Sequence, residues 1–390
     1  MNTIGRMIAL AVVGLVGVNA VAQPTEHAAF LTGFEAKLRE LLQDEDIKAP
    51  GATATVAFSD GTVLTVAAGH ADIENNIAMT PGTRILSGSI GKTFAAATAL
   101  SLAKAGELDL DAKIAKWFSD EPWFDRLPNH NDITVRHLLT HSAGLVDHVY
   151  TEEFASAIQA QLAAPEPDPN AYLKPLELVE CVLDKEPLFL AGEGFSYTDT
   201  GYILAGLVIE KVTGQAYYDV LQQRLLEPLE LNDTSPSNKR DLEGLASGYL
   251  AEDNPFGLPT KIAENGLMFI NPAGEWTGGG LVTTSRDLAR WAVALYEERA
   301  IDSPYLVDLL RSGHTANDAK RVYGLGVTIH ELAGATWYGH GGWFPGYESA
   351  MFYAPKYGFA LAIQANSDHN DPAVRLFEGL APWVIEHAHD

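Results

Sequence analysis

The chain has 390 residues, 47% of them hydrophobic, which is enough for a substantial core and excludes a disordered chain. Its 51 acidic against 26 basic side chains leave a formal charge of −25, which excludes nucleic acid and anionic membrane surfaces as partners. A single cysteine, Cys181, excludes an internal disulfide and reads as a small buried apolar residue.

The first element in the chain is a targeting signal. Arg6, the apolar run over residues 7–18 and Ala20-Val21-Ala22 before Gln23 predict a secretory signal peptide over residues 1–22, cleaved after Ala22. The run is shorter than the about 20 residues a membrane span needs, and no later stretch reaches that length. No cysteine at the cleavage point marks a lipid anchor. The expected product is a soluble exported protein, periplasmic in a two-membrane bacterium, with no stable membrane anchor and an open oligomeric state.

Next, Phe30, Phe34, Leu38, Leu41 and Leu42 recur at helical spacing. Residues 52–69 predict two strands joined at Ser59-Asp60-Gly61. From Ser89 onward helical patterns dominate. Thr134 predicts an N-cap, with Ile133 and Leu138 as its hydrophobic staple and Gly144 as the helix end. The proline-rich stretch 164–170 predicts a surface loop, residues 200–212 a helix closed by Gly214, and a further helix runs to Pro228. Strands are expected over 323–332, 335–338, 349–354 and 359–365, then a helix with Asp371 as N-cap and Pro372 in its first turn. Strands at both ends with helices between them predict an α/β (α+β) fold, an antiparallel sheet built from both termini and flanked by terminal helices, with a helical domain inserted. The expected sheet part covers about 23–88 and 270–390, and the helical part about 89–269.

One stretch carries chemistry: Ile85 to Ala96, ILSGSIGKTFAA. A phosphate-binding loop needs a glycine where Leu86 stands. A nucleophile elbow needs one where Ser87 stands. A serine-lysine pair fits, because Ser89 and Lys92 at i and i+3 share one helical face. The positive end of the helix dipole would favour an alkoxide-like Ser89 and a developing oxyanion. In isolation the pair reads as an N-cap serine and a surface lysine, so partners decide.

Two partners follow in order. Phe195-Ser196-Tyr197-Thr198-Asp199 opens the 200–212 helix, and Tyr338-Gly339-His340-Gly341-Gly342 ends a predicted strand. With Ser89 and Lys92 these resemble the S-x-x-K, Y-x-N and K-T-G or H-x-G elements of the penicillin-recognising serine hydrolases, nearest their class C β-lactamase, D-alanyl-D-alanine carboxypeptidase and esterase branch. Residues 133–145, 195–206, 226–234 and 278–288 are also similar to that family's linking segments. The resemblance spans roughly residues 30 to 385.

The resemblance implies a single β-lactamase/transpeptidase-like catalytic unit over residues 23–390, needing no metal or organic cofactor, with a small-molecule or peptide substrate. It implies that Ser89 forms an acyl-enzyme later hydrolysed by water. Lys92 and Tyr197 would share the proton transfers, the lysine with a lowered pKa or the tyrosine as a stabilised phenolate, and which one is the base stays open. The backbone N–H groups of Ser89 and Trp343 would form the oxyanion hole. Asp199, His340, Gly341 and Gly342 would meet the substrate.

Asp199 stands where asparagine is commonest, and it also reads as a cap of the following helix. Gly341 stands where threonine often meets a substrate carboxylate, and His340 in place of lysine softens the positive charge there. The expected substrate class therefore loosens towards D-amino-acid peptides, amides or simple esters, and the expected activity is D-alanyl-D-alanine carboxypeptidase-like or hydrolysis of a D-amino-acid peptide or amide. Carboxylesterase or β-lactamase activity is the alternative on the same fold, and a non-catalytic sensor or scaffold the alternative of another class. His137 and His141 at i and i+4, followed by His148, offer a zinc reading that lacks the glutamate of H-E-x-x-H, since Leu138 holds its place.

Overall fold

The computed structural model describes residues 23–163, 168–252, 254, 257–310, 314–315 and 321–388. The expected signal peptide, 1–22, and residues 164–167 of the proline-rich stretch lie outside the described residues. No helix among the described residues is long and apolar enough to cross a membrane.

Helix α1 (Gln23–Leu41) precedes strands β1 (Gly51–Phe58), β2 (Val63–Asp72) and β3 (Ile77–Ala78). The central helices that matter for the site are α2 (Gly91–Lys104), α3 (Val135–Leu139), α4 (Asp199–Thr213) and α5 (Ser285–Tyr296). Strands β4 (His314–Thr315), β5 (Arg321–Tyr323), β6 (Thr328–Leu332), β7 (Ala335–Phe344), β8 (Tyr347–Ala354) and β9 (Phe359–Ala365) lead to helix α6 (Pro372–His387). These strands form a nine-stranded sheet in the order β3-β2-β1-β9-β8-β7-β6-β5-β4, and the described residues also hold a three-stranded and a two-stranded sheet of short strands. The pairs of the nine-stranded sheet are antiparallel, and β1 lies between β2 and β9, with Thr55 opposite both Thr65 and Ala362. The two ends of the chain thus meet at the middle of the sheet.

Both faces of β1 are covered, which is why its alternating threonines are as buried as its alanines and Val56. Ala52, Ala54 and Val56 pack with Phe34 and Leu38 of α1, Leu376 and Leu380 of α6, and Trp337. On the opposite face Thr55 Oγ1 lies 2.9 Å from Ser285 Oγ at the start of α5, so the polar side is satisfied by a polar helix end. Beyond α5 lies the largest core, where Trp291 stacks on Phe94 of α2 at 4.2 Å between ring centroids. The Trp291 indole donates to Thr93 Oγ1 at 2.8 Å. Trp291→Ala is expected to cost about 3–5 kcal/mol, read as a lower denaturant midpoint, because it empties a fully buried site and leaves Thr93 short of a donor.

Several boundaries differ from the pattern-based expectation. The predicted 323–332 strand is two, β5 and β6, because the chain turns at 324–327. There Gly326 is at φ +70, and a Cβ on Gly324 would lie 2.1 Å from Leu309 O. Strand β7 runs on to Phe344, so His340-Gly341-Gly342 lies within it rather than at its end. Thr134 caps α3 as expected, accepting from the His137 N–H at 3.2 Å, but the helix stops at Leu139, short of Gly144. His141 takes a left-handed φ of 55°, which breaks the helical path. Asp371 precedes α6 at φ 52° without a side-chain capping bond. Cys181 is a buried free thiol whose Sγ lies 3.3 Å from Glu177 O.

Candidate active site

Ser89 sits in a one-turn 3-10 helix, Gly88–Ile90, that runs straight into α2. Two glycines permit that turn to press against strand β7. Gly88 is at φ +50, and a Cβ there would lie 2.4 Å from Trp343 N. A Cβ on Gly342 would lie 1.8 Å from Ser87 O. The backbone around Ser89 and that of Trp343 are therefore neighbours, the arrangement an oxyanion hole requires.

Lys92, one turn along α2, has no exposed surface. Its ammonium donates to Ser89 Oγ at 2.9 Å and to Gly278 O at 2.6 Å, and pairs with Asp199 Oδ1 at 2.5 Å. It also lies 5.0 Å from the Tyr197 ring centroid and 5.5 Å from that of Tyr202. Burial works against the ammonium, but the charge of Asp199 and the hydrogen bonds of Asp199 and Tyr197 outweigh it, and the amine lies well above its ordinary value. This corrects the expectation of a lowered lysine: the dominant neighbour is a carboxylate, not a helix terminus.

Tyr197 and Asp199 arrive on the segment entering α4. Thr198 is the N-cap, its hydroxyl accepting from the Thr200 N–H, which frees Asp199 in the first turn to reach Lys92. Asp199 is thus a partner of the lysine rather than a helix cap. Tyr197 turns 37% of its surface to the cleft, while its hydroxyl engages Lys92 and Ser89 on the inner side. Burial holds that hydroxyl up at about 12 against the pull of Lys92.

These groups open into a cleft of about 370 Å³ lined by Ser89, Phe195, Tyr197, Tyr323, His340 and the backbone of 341–343. His340 is not a cation here. Burial, then Lys92, push its imidazole down to about 4, and Nδ1 meets Gly341 O at 2.5 Å while Nε2 meets the Tyr323 hydroxyl at 2.9 Å. The softened positive charge expected at this position is absent, because a buried imidazole beside an ammonium stays neutral.

Other residues of the site escaped the motif reading. His141 is fully buried, accepts the Thr198 N–H at Nδ1 (3.1 Å) and packs tilted against Tyr197 with ring centroids 4.1 Å apart. Its HLLTH spacing suggested zinc, yet His137 Nδ1 instead accepts the Thr134 N–H at 3.3 Å. Among the described residues no group of three potential ligands assembles. Tyr323 carries no motif and enters because it ends β5, two places from β7 in the sheet, where its hydroxyl meets His340 Nε2. Two more carboxyls surround Lys92. Asp147 accepts the Asp199 N–H and is raised to about 6 by burial and by Asp199. Glu275, raised to about 8 by burial and by Asp199, keeps Oε2 buried without a hydrogen-bond partner. It precedes Trp276, whose φ of 40° and ψ of −118° shape the loop that presents Gly278 O to Lys92.

A family model described as Beta-lactamase matches residues 34–380. Penicillin-binding protein 4* of Bacillus subtilis is 25% identical over 297 residues, 72% of this chain and 60% of its own length. The D-aminopeptidase of Brucella ovis is 25% identical over 335 residues, 85% of this chain and 60% of its own. The chain therefore spans 60% of the length of these two curated relatives. The D-stereospecific amidohydrolase from Streptomyces sp. superposes with a TM-score of 0.74 at 28% identity, covering 90% of this chain and 97% of its own.

Proposed function

The chain belongs to the beta-lactamase family, and from that premise we propose that it is a serine hydrolase acting through an acyl-enzyme on Ser89, with D-amino-acid peptides or amides as substrates. The observation that carries the reading is the fully buried Lys92 ammonium, 2.9 Å from Ser89 Oγ at the floor of an open cleft. The substrate class is drawn from the D-aminopeptidase and D-stereospecific amidohydrolase among the relatives.

In this mechanism Ser89 Oγ bonds to the substrate carbonyl carbon, and the oxyanion takes hydrogen bonds from the N–H groups of Ser89 and Trp343. Lys92 stays an ammonium throughout, since Asp199 holds its proton, and it stabilises the alkoxide character of Ser89. The Ser89 proton passes to the Tyr197 oxygen as the Tyr197 proton passes to the leaving nitrogen, so Tyr197 starts and ends neutral. Water then replaces the leaving group, gives its proton back through Tyr197 to Ser89, and releases the acid. His340, Gly341 and Gly342 form the edge along which the substrate lies.

Hydrolysis of paired D- and L-aminoacyl p-nitroanilides and of a chromogenic cephalosporin tests the reading. A D preference with little cephalosporin turnover supports it. Turnover of the cephalosporin or of simple esters alone overturns the substrate class.

Asp199→Asn separates the two candidate bases. The variant loses the largest influence raising Lys92, so the amine falls towards its ordinary value or below it. If Lys92 must stay charged, the alkaline limb of kcat/KM moves to lower pH in the variant, and activity at pH 9 drops by about tenfold or more. A variant that gains activity as pH rises would instead make neutral lysine the base.

Export with cleavage after Ala22 is part of the same proposal. Protein recovered from its host is expected to begin at Gln23, and a retained Met1 would overturn it.

A further inference from the structure

Among the described residues lining the cleft there is no lysine or arginine and one carboxyl group, Glu348. It lies directly opposite Trp343 across the β7–β8 pair, and Gly341 opposite Ala350 belongs to the same face of the sheet. A Cβ on Gly341 would meet only Ser349 O, at 3.9 Å, so the space over that face is open. Glu348 is 6% exposed, and its Oε2 accepts the Ala373 N–H at 2.7 Å, with Val374 N–H adding to it at the start of α6.

Capping α6 explains one oxygen, since Asp371 makes no capping bond of its own. It does not explain why the surroundings are acidic. Burial, then Asp371 and Asp368, hold the carboxyl up at about 7 despite the helix N–H groups. Asp368 is itself bonded by the Trp343 side chain and faces His369, while Arg375 is turned to Asn370. No ion pair reaches Glu348 among the described residues.

We propose that Glu348 is a specificity-determining residue that receives a substrate ammonium group at the Trp343 end of the cleft and turns away a carboxylate there. The inference rests on the hydrolase reading above. With His340 neutral and Lys92 engaged by Asp199, Glu348 is the one carboxyl among the described lining residues, and a substrate ammonium beside it favours its ionised form. A cation seated against it relieves a buried carboxyl that is held by the α6 N–H groups but has two further carboxylates, Asp371 and Asp368, acting on it and no cation paired with it. A carboxylate in the same place meets repulsion without a compensating cation. This favours substrates with a free amino group beside the scissile carbonyl over penicillin-like or peptide C-terminal carboxylates.

The test uses three D-aminoacyl p-nitroanilides of one scaffold: the free amine, its des-amino analogue and its N-succinyl derivative. Rates are read at pH 7.5, below the ordinary range of an α-amino group. For the wild type the expected kcat/KM is about tenfold higher for the amine than for the des-amino compound, the scale of a hydrogen bond to a charged group, and lowest for the succinyl compound. In Glu348→Gln the amine-to-des-amino ratio is expected to fall to about one, whereas Glu348→Asp retains a preference. Each ratio is taken within one enzyme, so a poor yield of folded variant does not affect it. A wild type without amine preference, or equal ratios in wild type and Glu348→Gln, overturns the role of Glu348 and leaves the hydrolase reading standing. No turnover of any of the three compounds by the wild type removes both.

Discussion

Ser89→Ala is expected to abolish the mass adduct that a fluorophosphonate leaves on the intact protein and to lower kcat by about 10⁴ to 10⁶-fold, the range seen when a covalent nucleophile is removed. The reason is local. Ser89 Oγ is the hydroxyl that the Lys92 ammonium holds against the cleft, and the Tyr197 hydroxyl interacts with the same side chain. With the oxygen gone, Lys92 and Tyr197 have nothing to activate, and their effects disappear together rather than adding. Residual rate then reflects only carbonyl polarisation by the backbone N–H groups and binding in the cleft. The fold should survive, because Ser89 is half-buried and the turn that carries it is set by Gly88. A serine-dependent adduct with penicillin as well as the fluorophosphonate would show that the cleft admits a substrate carboxylate, against the neutral His340 and the acidic Glu348. Full labelling of Ser89→Ala by the fluorophosphonate would place the nucleophile elsewhere and promote the sensor or scaffold alternative.

The part of the site legible in the sequence is the part held by short-range spacing. Ser89 and Lys92 are one helical turn apart, so their approach follows from local geometry. Tyr197 and Asp199 were locatable because they stand at the entry to a strongly patterned helix closed by Gly214 at φ +68. The central strands β1 and β2 are legible as two strand-like runs joined at the Ser59-Asp60-Gly61 turn. What was hidden depends on tertiary approach. Tyr323 enters the cleft only through the β5–β6 turn, whose glycines look like any strand interruption. Glu275 and Asp147 come from segments distant in sequence that converge on Lys92, and an isolated acidic residue carries no spacing signal. The protonation of Lys92 is not legible for the same reason, since the sequence locates its helix but not the number of carboxyls around its ammonium. His340 shows the converse: its position in the motif was legible, but its charge depends on burial, which one strand cannot report.

Lys92→Met is expected to damage stability and catalysis in ways that can be separated. The side chain is fully buried and paired with Asp199, so its removal leaves a carboxylate without its cation and should cost about 3–5 kcal/mol at pH 8. The same ammonium now restrains Asp147 and Glu275, which stand at about 6 and 8, and without it both move higher. A carboxyl whose value is higher in the folded than in the unfolded chain holds a proton that unfolding releases, so its folded form loses stability as pH rises and regains it as pH falls. The loss in Lys92→Met is therefore expected to be largest at pH 8–9 and smaller near pH 5, read from denaturant midpoints across that range. Adding Asp199→Asn removes the stranded charge and should return much of the stability, because a pair removed together costs less than a pair broken. Activity should not return with it. The double variant still lacks the donor that stabilises Ser89 as alkoxide, and kcat/KM is expected to stay about 10³-fold or more below wild type. Recovery of both in the double variant would make Lys92 a structural counter-ion to Asp199, and Tyr197 would then have to activate Ser89 alone.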